Sequence, residues 1–332
     1  MGQRVRVLAV AGAVLVAAAG WWSAGAAPAR PGATAAAPAP SGVAAARPAD
    51  DPGCDPRASR YRPAEDSGGS TIQSIRAHGS LVVGVDLNDY HWGFLGPDGK
   101  PAGFDIDLVH AISQSILGRP DAVTYVALDD DQRIPRLESS GAQHVDLVVH
   151  TMTATCERAR KVDFSTVYFV AGERVLVPRA HDDPNESGPA ALKGRRVCVA
   201  AGSTSYDNLA GDLKKPRDQQ QFQPAGIVTA PAELDCLVRV QLGLADAVLT
   251  DDAIAYGLAA QDPATMVVGD PISPEPYAIA MPPGEADLVA WVNQVLEQYR
   301  ARDWQASYDK WLKPFVHGQA EAEPPAAEYV SN

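Results

Sequence analysis

Apolar residues along this chain come in two forms, short unbroken runs and longer stretches with helical spacing. Leu81, Val82, Val83 and Val85 make one run, residues 123–128 a second and residues 145–149 a third. Ile72, Ile75 and Ala77 precede the first run as a short helix. Leu108, Ala111, Ile112 and Ile116 recur at the three-and-four spacing of a helix that stops at Gly118, and residues 133–139 read as another. A second set follows Gly172, with strands at 175–177, 196–199 and 247–249 and helices at 206–213, 231–242 and 252–260. A strand at 277–280 and helices at 286–299 and 304–312 end the patterned part. Strands alternating with helices predict a mostly parallel, wound α/β sheet in each set.

The ends read differently. Arg4 and Arg6 precede an apolar run over residues 7–22 and small residues at 23–27, which predicts an export signal or, uncleaved, a signal anchor tethering the protein to the membrane over residues 1–27. About sixteen apolar residues is short for a membrane span. The first cysteine is Cys54, too late to serve as a lipid-anchor site. Residues 28–53 are rich in Ala and Pro and predict a disordered spacer, and residues 317–332 a disordered tail. The net charge of −13, with 28 Lys and Arg against 41 Asp and Glu, argues against nucleic acid as a partner.

Chemistry concentrates in residues 145–168, where a buried strand breaks into a turn carrying Thr151, Thr153 and Thr155, followed by Arg158. A fixed guanidinium beside hydroxyl and backbone donors makes a receptor for one carboxylate, because Arg presents a planar bidentate fork. A surface Arg in a Thr-rich loop is the plainer reading of that stretch taken alone.

Its surroundings decide. The run LVVGVD at 81–86, then Trp92, Phe94 and Gly99, the segment GFDIDL at 103–108 and TATCERARKVDFS at 153–165 together resemble family 3 of the bacterial extracellular solute-binding proteins, the polar amino-acid receptors of ABC importers. Within it the chain is most similar to actinobacterial glutamine- and glutamate-binding members. The resemblance covers roughly residues 70–314. It implies a two-lobe periplasmic-binding-protein-like α/β fold with a two-strand hinge: lobe one over 54–167 and 278–316, lobe two over 173–272, crossings at 168–172 and 273–277.

The resemblance also implies a site. Arg158 and Thr153 would hold the α-carboxylate of an amino acid, joined by the turn Gly202, Ser203 and Thr204 at a helix N-terminus. An ordinary Ser N-cap is the plainer reading of that turn. Asp251, at a strand end, would hold the α-ammonium, with Asp252 capping the next helix and a carbonyl near His150 or Thr151 as second acceptor. Relatives more often have Gly at the position of Thr151. Asp86, Trp92 and Phe94 would wall the side-chain pocket, Phe94 equally fitting a core role. Arg133, before Ile134 and Pro135, matches the Arg that aspartate- and glutamate-binding members aim at the side-chain carboxylate, which favours an acidic ligand over glutamine or asparagine. A solvent-facing helix Arg is the alternative.

Four cysteines in an exported chain predict two disulfides out of three possible pairings. Cys198 and Cys236 both fall in lobe two, on a strand and the helix beside it, which leaves Cys54 with Cys156. No spacing calls for a metal or a cofactor. The expected protein is a monomeric, exported, non-catalytic receptor for a free acidic or amide amino acid, serving an ABC permease or, alternatively, a membrane sensor. Two enzymes on this fold compete less well. A cyclohexadienyl dehydratase would need a general acid where Asp251 lies, and a lytic transglycosylase would need a further domain.

Overall fold

The computed structural model describes residues 54–64, 69–181, 187–315 and 323–331. The expected export signal and spacer lie outside these residues. Among the described residues no helix is long and apolar enough to cross a membrane.

The chain opens with β1 (Ala58–Ser59), α1 (Ser70–His78) and β2 (Leu81–Val85), then a small antiparallel sheet of β3 (Asn88–Asp89), β4 (Gly93–Leu95) and β5 (Pro101–Ala102). The helix α2 (Phe104–Leu117), β6 (Val123–Ala127), α3 (Arg133–Glu138), β7 (Leu147–Val148) and β8 (Asp163–Phe164) complete the first pass. The ten-residue β9 (Phe169–Pro178) carries the chain into β10 (Arg196–Ala200), α4 (Thr204–Leu213), β11 (Gly226–Ala230), α5 (Glu233–Gln241), β12 (Ala247–Asp251), α6 (Asp252–Gln261) and β13 (Thr265–Val268). It returns through β14 (Pro274–Tyr277) to β15 (Ala280–Met281), α7 (Ala286–Arg302), α8 (Trp304–Trp311) and β16 (Glu328–Tyr329).

Two sheets result, one per lobe. The first has the order β6-β2-β7-β15-β8 and the second β11-β10-β12-β9-β13. Val83 pairs in parallel with Tyr125 on one side and Leu147 on the other, and Cys198 with Val228 and Val248. Such strands are buried on both faces, which is why they read as unbroken apolar runs. The sheets are mixed, because the strands that carry the crossings, β9 and the β14–β15 return, run against their neighbours.

The two crossings lie side by side. Glu275 pairs with Ala171 and Pro276 with Val170, so an antiparallel ribbon joins the lobes. Around it Trp92, Phe104, Phe169, Tyr277 and Trp304 pack as one aromatic cluster. Lobe two has separate clusters on the two faces of its sheet, one centred on Val197 and Leu249, the other on Cys198, Cys236 and Val248.

Both disulfides have the expected pairing, Cys54–Cys156 and Cys198–Cys236, with Cα separations of 6.0 and 5.5 Å. The expected disordered tail is corrected over its described part. Glu328 and Tyr329 pair with Ala58 and Ser59, and the Tyr329 hydroxyl donates to Glu297 at 2.7 Å. Backbone pairing to the disulfide-anchored N-terminal segment gives these residues partners that their composition does not advertise.

Candidate functional site

Five strands end at the cleft between the lobes: β2 runs into Asp86, β6 into Asp130, β7 into His150 and Thr151, β10 into Gly202, and β12 ends on Asp251. Carboxyl ends of strands leave backbone groups and short loops free to face a ligand. Asp130, Arg133, Thr151, Thr153 and Arg158 of the first lobe and Ser203, Thr204, Glu233, Thr250 and Asp251 of the second line one narrow cavity.

Arg158 is buried. Its Nη1 donates to the Thr153 carbonyl at 2.8 Å and its Nη2 to the Gly202 carbonyl at 2.9 Å. Burial, and then the neighbouring Arg133 cation, pull its guanidinium down to about 10. Arg133 donates Nε to the Asp130 carbonyl, Nη1 to the His150 carbonyl at 3.2 Å and Nη2 to Gly202 at 3.3 Å, and its Nη2 stands 3.0 Å from the Asp130 carboxylate. Two guanidinium groups of one lobe therefore converge on a single carbonyl of the other. A second cavity of about 380 Å³ lies on their outer side, lined also by Asp131, Glu157, Lys161 and Asp207.

The Thr151 backbone sits at φ 41°, a left-handed conformation that costs a β-branched residue and would suit Gly. Two carboxylates hold it: its N–H donates to Asp105 at 2.9 Å and its hydroxyl to Asp89 at 3.2 Å. Asp251 accepts a 2.6 Å hydrogen bond from the Tyr277 hydroxyl. Burial, then Glu275, hold its carboxyl well above the usual range, so a cation arriving there would restore the charged form.

Several expected roles are corrected. Asp86 and Trp92 do not line the cavity. Asp86 accepts from the backbone N–H groups of Asn88 and Asp89 and stands 3.4 Å from His150, which makes it the clasp of its own turn. Trp92 is fully buried in the aromatic cluster and donates to the Ala253 carbonyl at 3.3 Å. Phe94 packs edge-on to Tyr90 and Trp311. The Ser203 hydroxyl accepts from Tyr206 N and donates to the Ala200 carbonyl, the role of an N-cap. Asp252, expected as a helix cap, is the first residue of α6; its carboxylate bonds the Ala253 N–H of that first turn and also accepts from Gly172 N at 3.0 Å, which ties α6 to the hinge. The His150 carbonyl accepts from Arg133 Nη1 and keeps a second lone pair. Arg133 is neither solvent-facing nor an unpaired cation, because Asp130 balances it.

The sequence reading missed Asp130, Glu233, Thr250 and Glu275. Glu233, the first residue of α5, is buried, and burial, then Asp130 and Asp86, push its carboxyl well up. Glu275, on the hinge ribbon, accepts from the Thr204 hydroxyl at 3.0 Å and from the Ser273 hydroxyl at 3.0 Å, and also bonds Thr153. A carboxylate between two prolines in a hinge strand was the available signal. Asp130 could have been found from its place three residues before Arg133.

The descriptive model of the bacterial extracellular solute-binding proteins, family 3, matches residues 81–314. The chain belongs to that family. It is 29% identical over 262 residues to the glutamine-binding protein of an ABC transporter from Bacillus subtilis, covering 78% of this chain and 91% of that protein. It is 33% identical over 214 residues to a glutamine-binding protein from Geobacillus stearothermophilus, covering 64% of this chain and 76% of that protein. Among solved structures, an ancestral arginine-binding protein bound to glutamine superposes with a TM-score of 0.62 at 32% identity, covering 70% of this chain and 98% of the other. The L-cysteine receptor of Neisseria gonorrhoeae, at 24% identity, shares the fold, with a TM-score of 0.67, and covers 77% and 100%.

Proposed function

We propose that the protein is an exported, non-catalytic receptor that closes its lobes around one free amino acid with an amide or acidic side chain and presents it to an ABC importer. Arg158 takes the α-carboxylate, since a carboxylate accepts from a guanidinium more strongly than the Gly202 carbonyl does. Asp251 takes the α-ammonium. Thr153, Thr204 and their shared acceptor Glu275 bring the two lobes to the same end of the ligand.

The Arg133–Asp130 pair carries the choice of side chain. Arg133 alone would favour glutamate or aspartate. With Asp130 at 3.0 Å, that end of the cleft already holds as much negative as positive charge, and Glu233 on the facing lobe adds a further carboxyl that burial holds towards its neutral form. An amide matches both signs, its oxygen to Arg133 and its N–H groups to Asp130 and Glu233, whereas a second carboxylate adds an unbalanced charge in a buried place. The reading therefore prefers glutamine or asparagine over the acids, in keeping with the two glutamine-binding relatives. Calorimetric titration of the exported protein with the twenty amino acids tests it. Binding of glutamine or asparagine ahead of glutamate and aspartate is expected, tight binding of an aliphatic amino acid would refute the assignment, and binding of none would refute the receptor reading.

A further inference from the structure

Gly257 lies in the middle of α6, a place where glycine weakens a helix relative to alanine. Its surroundings explain why nothing larger stands there. A Cβ on Gly257 would come within 2.7 Å of the Tyr90 carbonyl oxygen, backbone of the facing lobe, and no flexible side-chain end is available to move aside. One turn earlier on the same helix, the Ala253 carbonyl accepts the Trp92 indole N–H. Residues 90–92 of lobe one thus sit directly on α6 of lobe two, the helix whose Ile254 lines the cavity.

A second glycine makes the same kind of contact at the mouth of the cleft. A Cβ on Gly202 would meet the Asp131 Cα at 2.6 Å, but Gly202 also has φ 84° and accepts from both arginines, so a substitution there would confound three effects. Gly257 has no such complication. Its backbone is helical, and the atoms nearest to an added Cβ all belong to Tyr90, which is not proposed to hold the ligand.

We propose that Gly257 is a positioning residue for lobe closure: its missing side chain lets α6 seat on the Tyr90 carbonyl, and this contact sets how completely the lobes close around a ligand that it never touches. The inference rests on the receptor reading above. Alanine at 257 holds α6 off residues 90–92 and raises the free energy of the closed form, while the form with lobes apart keeps every contact it had. Because a ligand gains most of its contacts in the closed form, its affinity falls by the same factor.

The test compares wild type, Gly257→Ala and Gly211→Ala, the last a glycine in α4 whose added Cβ would meet nothing within 4 Å. Each is titrated with L-glutamine by calorimetry, or with whichever of the twenty amino acids the wild type binds. Compaction on ligand addition is followed by small-angle X-ray scattering, and melting is recorded without ligand. Gly257→Ala is expected to bind more than tenfold more weakly and to compact less, with a ligand-free melting temperature at least equal to the wild type's, since alanine is the better helix former. Gly211→Ala is expected to bind and compact as the wild type does. Wild-type affinity and compaction in Gly257→Ala would overturn the proposal. So would a fall in ligand-free melting or failure to fold, which would make Gly257 and Tyr90 fixed neighbours in both forms. A wild type that binds no amino acid would instead overturn the receptor reading, and the closure proposal with it.

Discussion

Arg158 of the first lobe and Gly202 of the second meet guanidinium to carbonyl at 2.9 Å, so the group assigned to the ligand carboxylate also holds the lobes together. A ligand bound as proposed would take that guanidinium from the Gly202 carbonyl with a charged acceptor. Arg158→Ala should lower amino-acid affinity by well over tenfold, since charge-assisted bonds contribute roughly 1.5–3 kcal/mol each. Calorimetry on the folded variant checks this, and wild-type affinity would move the carboxylate site elsewhere.

The Asp130–Arg133 pair makes a sharper prediction about selectivity. Asp130→Asn leaves Arg133 without its counter-charge in a buried place. The variant should gain affinity for glutamate relative to glutamine by roughly tenfold, a change of about 1.4 kcal/mol. Paired titrations with the two ligands read the ratio directly. An unchanged ratio would remove the pair from the side-chain pocket.

Hinge stability should depend on pH through Glu173. Burial, and next the neighbouring Glu275, push its carboxyl to about 7, while Ser205, Asn208 and Ser273 bond the carboxylate and only partly offset this. The folded state thus binds a proton that the unfolded state has lost above about 4.5. Stability from this group is full below that pH and is lost as pH rises to about 7. A shift of this size corresponds to roughly 3–4 kcal/mol. Denaturant unfolding from pH 4.5 to 7.5 should show a falling slope in the wild type that is flatter in Glu173→Gln. Asp105, raised by burial to about 6, contributes in the same direction and leaves a residual slope in the variant.

The Cys54–Cys156 link closes a separation of 102 residues, and Cys156 lies between Thr153 and Arg158 on the turn proposed to bind the ligand. By the chain-entropy argument a loop of about that length contributes roughly 3–5 kcal/mol. Replacing both cysteines with serine should lower the denaturant midpoint and weaken ligand binding together, because the turn that carries Arg158 loses its anchor. A lower midpoint with unchanged affinity would show the anchor to be structural only.

The sequence by itself determined the two sets of alternating elements, the two disulfides and the turn that places Thr151, Thr153 and Arg158 together. These are local properties: doubly buried strands must be unbroken apolar runs, and a turn between a strand and a helix keeps its residues adjacent wherever the chain goes. Only the tertiary structure decided which charges face each other. Glu233 lies 100 residues after Arg133 in the chain, and no periodicity says that they share a cavity. Asp86 and Trp92 stood at the right chain positions for a pocket wall, yet a turn clasp and an aromatic cluster used them first, since burial rewards filling the hinge before lining a cleft. Arg133 was recognisable as important, but its partner Asp130 changes its meaning from a bare cation to half of an ion pair. Selectivity is a sum of opposing charges over a few ångströms, and a sequence records the charges without the distances.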